Sequence, residues 1–182
     1  MFIRKLIGKW LCIFLLALMA CNAQAQSKEY QLKAVFLFNF AQFVEWPPTA
    51  FTDTNAPFCI GILGDDPFGE FLDETVRGEK INGHPLLIQR YHNPEEIQNC
   101  QILFVSSSEA KQAKQILTGL KEKNVLTVGD AENFSKDGGV IRFVTQQNKI
   151  HLRISLEAAK NANLKVSSKL LRLAEIVQPG DD

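Results

Sequence analysis

Several groups in this sequence could do chemistry. Gly61-x-x-Gly64-x-x-x-x-Gly69 stands where a strand would turn into a helix, a place where backbone N–H groups often hold phosphates. The spacing is neither G-x-G-x-x-G nor that of a P-loop, and Asp65 and Asp66 would repel the anion. The plainer reading is a turn and a helix cap. Asp65 and Asp66 could be an acid pair, but adjacent carboxylates alone do not make a general acid and base. Ser106, Ser107 and Ser108 lack the G-x-S-x-G elbow of a hydrolase. The strand before them ends at Val105 without the Asp that a phosphate receiver needs. His92 with Glu95 and Glu96 could meet a metal, yet a solvated loop accounts for them, and His84 and His151 complete no metal pattern. No catalytic, cofactor-binding or metal site is expected.

Cys59 and Cys100 are a different matter, because the start of the chain sets their compartment. Arg4, Lys5 and Lys9 precede an apolar run from Trp10 to Ala20, and Ala23-Gln24-Ala25 follows as a small-x-small site. This is the layout of a secretory signal peptide over 1–25. The run is too short for a spanning helix of roughly 20 residues. Leu18-Met19-Ala20-Cys21 also resembles a lipoprotein signal, so a lipid anchor through Cys21 is the alternative to cleavage after Ala25. The 182 residues hold 20 basic and 20 acidic side chains. Cleavage after Ala25 removes three basic ones and leaves a mildly acidic domain over 26–182. There is no basic excess for nucleic acid. Two cysteines in an exported chain read as one disulfide, the alternative being two buried thiols. In the chain-entropy model such a bridge contributes roughly 3–5 kcal/mol.

The elements that must position these groups follow from periodicity. Leu32, Val35, Phe36, Phe40, Phe43 and Val44 are spaced for a helix over 28–46, with Ser27 as cap and Pro47-Pro48 as stop. Strands are expected at 58–63, 85–91, 101–105 and 124–128, with helices at 67–76 and 109–122. Asp66 would cap the first of these helices, and Ser107 or Ser108 the second. A short helix is expected from Pro94. Strands at 140–145 and 149–154 flank Gln146-Gln147-Asn148 as a hairpin. Ser155 caps a helix over 156–162, and a last helix is expected over 167–177, with Leu170, Leu171, Leu173, Ala174 and Val177 inward. The alternation implies an α/β domain with a mostly parallel, doubly wound sheet. Cys59 begins the first strand and Cys100 precedes the third. A bridge needs Cα atoms within about 7 Å, so those strands should be neighbours, in order 2-1-3-4, with the hairpin extending or capping the sheet.

The first helix is unusually aromatic. Phe36, Phe38, Phe40, Phe43 and Trp46 leave only a narrow polar face at Asn39, Gln42 and Glu45. One reading is core. The other is a face shared between the core and a dimer or receptor.

Lys33-Ala34-Val35-Phe36-Leu37-Phe38-Asn39-Phe40-Ala41-Gln42-Phe43-Val44-Glu45-Trp46-Pro47 resembles the opening helix of the YfiR-like periplasmic proteins. So do Gly61 to Gly69, Val125-Leu126-Thr127-Val128-Gly129-Asp130, Gly138-Gly139-Val140-Ile141 and Leu164 to Ala174. The resemblance covers nearly all of 30–177. It implies a non-enzymatic periplasmic regulator without a cofactor, which represses a membrane-bound diguanylate cyclase by contact with the cyclase's periplasmic sensor region. It also implies capture by an outer-membrane lipoprotein, control of cyclic di-GMP and biofilm formation, and a homodimer. Cys59 and Cys100 match one bridge of the family. A second family bridge has no counterpart, since 140–155 contains no Cys. Arg153 departs from a more apolar strand and suggests an exposed face or edge. The competing reading is a periplasmic small-ligand module, with loops 64–69 and 106–108 lining a crevice at the strand ends.

Overall fold

The computed structural model describes residues 28–178. The expected signal segment, Cys21 and the Ser27 cap lie outside the described residues. In chain order the elements are helix α1 (28–43), β1 (Val44–Glu45), β2 (Phe58–Leu63), α2 (Glu70–Val76), β3 (Lys80–Ile81) and β4 (His84–Tyr91). There follow β5 (Ile102–Val105), α3 (Ala113–Gly119), β6 (Leu126–Gly129), β7 (Ile141–Gln146) and β8 (Lys149–Ser155). The chain continues through α4 (Leu156–Asn161), β9 (Lys165–Val166), α5 (Ser168–Leu171) and β10 (Ala174–Val177).

Eight strands form one sheet in the order β10-β8-β7-β6-β5-β2-β4-β3. Strands β4, β2, β5, β6 and β7 run parallel. The central order is therefore the expected 2-1-3-4, with β2 between β4 and β5. All six residues of β2 and all four of β5 and of β6 are buried, the pattern of strands covered on both faces. Phe58, Ile60 and Ile62 pack under α1 and α2, while Cys59 and Leu63 share a second cluster with Ile116 and Leu117 of α3. This alternation is the period-two consequence of the pleat. The β7–β8 hairpin closes through Gln147 and Asn148, both with positive φ (51° and 59°), as a two-residue turn requires.

Four elements differ from expectation. First, α1 stops at 43, and Val44–Glu45 turn extended to pair with β9. Its buried face is Lys33, Ala34, Leu37, Phe40 and Ala41, whereas Leu32 and Val35 are 48% and 38% exposed. The expected stripe is thus rotated, because the true one contains a lysine. Second, α2 begins at Glu70. Asp66 Oδ1 accepts from Phe68 N (2.7 Å) and Gly69 N (3.3 Å), capping the turn ahead of the helix, and Gly69 has φ 56°. Third, the 109–122 helix is a 3-10 turn at Ser107–Glu109 followed by α3, and the capping serine is Ser106. Fourth, the last helix is only α5. Leu173 is 69% exposed, and Ala174–Val177 form β10, parallel to β8. A short apolar run fits helix and strand alike, and here it pairs the open edge of β8. Arg153 is accordingly not on an edge strand; its Nε lies 3.0 Å from Glu175 Oε2 on β10. Ser155 caps α4 as expected, accepting from Ala158 N.

Among the described residues no helix is long and apolar enough to cross a membrane.

Candidate functional site

The groups with catalytic appearance are engaged in structure. Arg90 of β4 holds Asp66 Oδ2 through Nε (2.7 Å) and Asp73 of α2 through both terminal nitrogens (2.6 and 3.1 Å). The guanidinium hydrogen bonds outweigh burial and keep the Asp73 carboxyl below its ordinary range. Asp66 is thereby one arm of a clamp that ties the turn after β2 to β4. At the switch point Ser108 Oγ donates to Glu109 Oε1 (3.2 Å) and receives Asp65 N–H (3.0 Å). A Cβ on Gly64 would collide with these side chains. Ser108 and Glu109 thus crowd the crevice between loops 64–69 and 106–108. His84 stacks on Phe51 with centroids 4.1 Å apart, its Nδ1 2.6 Å from Ala56 O. Among the described residues no group of three His, Cys, Asp or Glu is placed to hold a metal.

Cys59 and Cys100 meet at the amino end of β2 and β5, on one face of the sheet. Both are buried free thiols, so the expected bridge is not formed in this structure. Cys100 Sγ lies 2.9 Å from Ile102 O instead. Cys59 Sγ is 3.9 Å from Gln89 Oε1 and 3.8 Å from Tyr91 Oη. The hydrogen bond from Cys100, opposed by burial and helped by Tyr91, lowers the Cys59 pKa below the ordinary thiol value. Burial, with Cys59 beside it, raises that of Cys100. The pair is therefore polarised, the two thiols being shifted in opposite directions. A cavity of about 540 Å³ borders Cys59, Gln89 and Gln101.

The aromatic face is divided. Phe40 is fully buried and stacks on Phe143 at 5.8 Å, so it belongs to the core. Phe36, Phe38, Phe43 and Trp46 are half-buried and pack against the same core. Trp46 Nε1 donates to Gln101 O (3.2 Å), and Gln101 itself accepts from Cys59 N and donates to Ala50 O. Leu32 and Val35 on α1 are exposed, as are Leu173, just before β10, and Ile176 within it.

One constellation escaped the sequence reading. Lys33, only 2% exposed, places Nζ 2.7 Å from Glu29 Oε1 and 2.7 Å from Asp130 Oδ2, and 4.3 Å from the Tyr30 ring centre. Tyr30 Oη donates to the same Asp130 oxygen at 2.8 Å. Burial and the adjacent Asp130 carboxylate push the Tyr30 phenol well above its usual range. Burial works against ionisation of Glu29, but hydrogen bonds from Lys33 and Thr145 prevail and lower its pKa. The cluster lines an open cavity of about 460 Å³, with Ser107, Glu132, Arg142 and Phe143 among its walls. The available signals were a lysine inside an apolar helix face and an Asp immediately after a buried strand, Val128-Gly129-Asp130.

A family model described as YfiR/HmsC-like matches residues 30–175. No curated protein matches the chain.

Proposed function

The chain belongs to the YfiR/HmsC-like family, and on that premise we propose that it is a periplasmic, non-enzymatic repressor of a membrane-bound diguanylate cyclase. It acts by contact with the cyclase's periplasmic region, and an outer-membrane lipoprotein can draw it away. The match over 30–175 carries the reading. The engagement of Asp66, Ser108 and His84 in the scaffold is consistent with a role in contact rather than turnover. The half-buried rim of Phe36, Phe38, Phe43 and Trp46 with exposed Leu32 and Val35 is the surface assigned to the partner or to a second copy. Fully buried Phe40 supports that surface from beneath.

Deleting the gene should raise cyclic di-GMP and surface attachment, and restoring it should reverse both. An unchanged level in a strain that expresses the protein counts against repression. Leu32→Glu and Val35→Glu should fail to restore the low level while the protein accumulates normally.

Cys59 and Cys100, free thiols in this structure, are proposed to close a bridge after export. The two thiols release two protons, and a periplasmic thiol oxidant takes the two electrons.

A further inference from the structure

Gln101 joins the thiol pair to the aromatic rim. It follows Cys100 in the chain and is 1% exposed. Its Oε1 accepts from Cys59 N (2.8 Å), and its own N–H donates to Cys59 O (3.1 Å). Both backbone polar groups of Cys59 are thus tied to this one residue. On its other side, Gln101 Nε2 donates to Ala50 O (2.6 Å). Gln101 O accepts from Leu126 N on β6 (2.8 Å) and from Trp46 Nε1 (3.2 Å). Phe58, the residue before Cys59, meets the Trp46 ring edge to face with centroids 4.9 Å apart. Trp46 is therefore held by a neighbour of each cysteine. The surroundings of the sulfurs leave little slack. A Cβ on Gly61 would sit 2.8 Å from Cys100 Sγ and 2.6 Å from the Tyr91 ring. Cys100 Sγ lies 2.9 Å from Ile102 O, a contact that loses its hydrogen when the thiol is oxidised. A disulfide brings the two sulfurs to about 2.05 Å, and a close-packed interior transmits such a displacement rather than absorbing it.

We propose that Gln101 is a positioning residue that couples the Cys59–Cys100 pair to Trp46. Closing the bridge displaces Gln101 together with Cys59. Of the two bonds to Gln101 O, the longer one, from Trp46, is the one that gives. The rim around Trp46 then differs between the dithiol and the disulfide protein. The inference rests on the bridge and the contact surface proposed above, and adds the link between them. One S–S bond forms and two S–H bonds break. The two electrons and two protons pass to the oxidant, which in the test is diamide, reduced to its hydrazine.

Trp10 lies in the expected signal segment, so Trp46 is the one tryptophan of residues 26–182. Its indole N–H resonance and its fluorescence are read in the purified exported chain, reduced and after diamide, with the intact mass reporting the loss of two hydrogens. Oxidation should move the indole proton upfield and raise quenching by acrylamide. Cys59→Ser with Cys100→Ser should show neither change. Gln101→Leu keeps the backbone carbonyl that Trp46 uses but cuts the ties to Cys59 N and Ala50 O. Its bridge should form, and its indole response should shrink. A bridge that forms without any change at the indole overturns the coupling and leaves the bridge standing, whereas an unchanged mass overturns both. A folded Gln101→Leu protein that responds as the parent does overturns the assignment to Gln101. If Gln101→Leu does not fold, the parent and the double-serine protein decide. Repression itself is judged separately, by the cyclic di-GMP level.

Discussion

Lys33 has the most consequential environment of any single side chain. Its ammonium bridges a carboxylate on its own helix and one 97 residues away. Removing one partner of a buried pair leaves the other charge uncompensated and costs about 3–5 kcal/mol. Lys33→Met should therefore lower unfolding stability by about that amount in a urea titration, although methionine is more apolar. A change below about 1 kcal/mol would show the pair to be dispensable. Glu29 and Asp73 both have pKa values below their ordinary 4.5 and 3.8 in the folded chain. Their stabilisation is complete above those unfolded values and disappears as pH falls through the lower folded ones. Melting temperature should drop as pH is lowered from 5 towards 3, and Arg90→Met should flatten the part due to Asp73. The thiols differ in the same physical sense. In the reduced protein iodoacetamide should label Cys59 before Cys100, as peptide mass spectrometry would show; the reverse order would contradict the polarised pair. The thiol pair was legible from the sequence, whereas the Lys33 cluster left only faint signals, a lysine on an apolar helix face and an Asp after a buried strand, because its two halves lie 97 residues apart.

At the scale of elements, burial and periodicity told different amounts. The central strands were legible because they are continuous apolar runs, and the Cys59–Cys100 argument placed β2 beside β5. α1 was legible as a helix but not in its rotation. Counting apolar residues alone favoured Leu32 and Val35, whereas the core took Leu37, Ala41 and the paired Lys33. The consequence is measurable. Phe40→Ala should cost about 3–5 kcal/mol, while Leu32→Ala should stay within about 0.5 kcal/mol, as surface changes do. Comparable losses at both sites would refute the assigned rotation. β10 was misread because four residues give too short a window to separate periods of 2 and 3.6, and only the unpaired edge of β8 decides between them. Gly61 marks another tertiary constraint. A Cβ there would sit 2.6 Å from Tyr91 Cε2 and 2.8 Å from Cys100 Sγ, so Gly61→Ala should disturb the thiol site and lower thermal stability together.

For the whole molecule, the match over residues 30–175 places the chain among YfiR/HmsC-like proteins. What remains to be measured is how oxidation changes it. Bridging Cys59 to Cys100 should raise stability by roughly 3–5 kcal/mol on the loop-closure argument, less any strain. The intact mass should fall by two hydrogens, and Cys59→Ser with Cys100→Ser should abolish both effects. A protein that stays fully reduced under a periplasmic thiol oxidant would remove the bridge from the account. The position of α1 has a further consequence for the order in which the chain can fold. Glu29, Tyr30 and Lys33 find their partners at Thr145 and Asp130, and Phe36 and Phe40 find theirs at Phe143. A chain delivered amino end first presents its most aromatic helix about a hundred residues before the surface that covers it exists. The first of the described helices to emerge is thus among the last to be completed. Until β7 arrives it is a natural client for a holding chaperone, and any truncation before that strand would leave it one permanently.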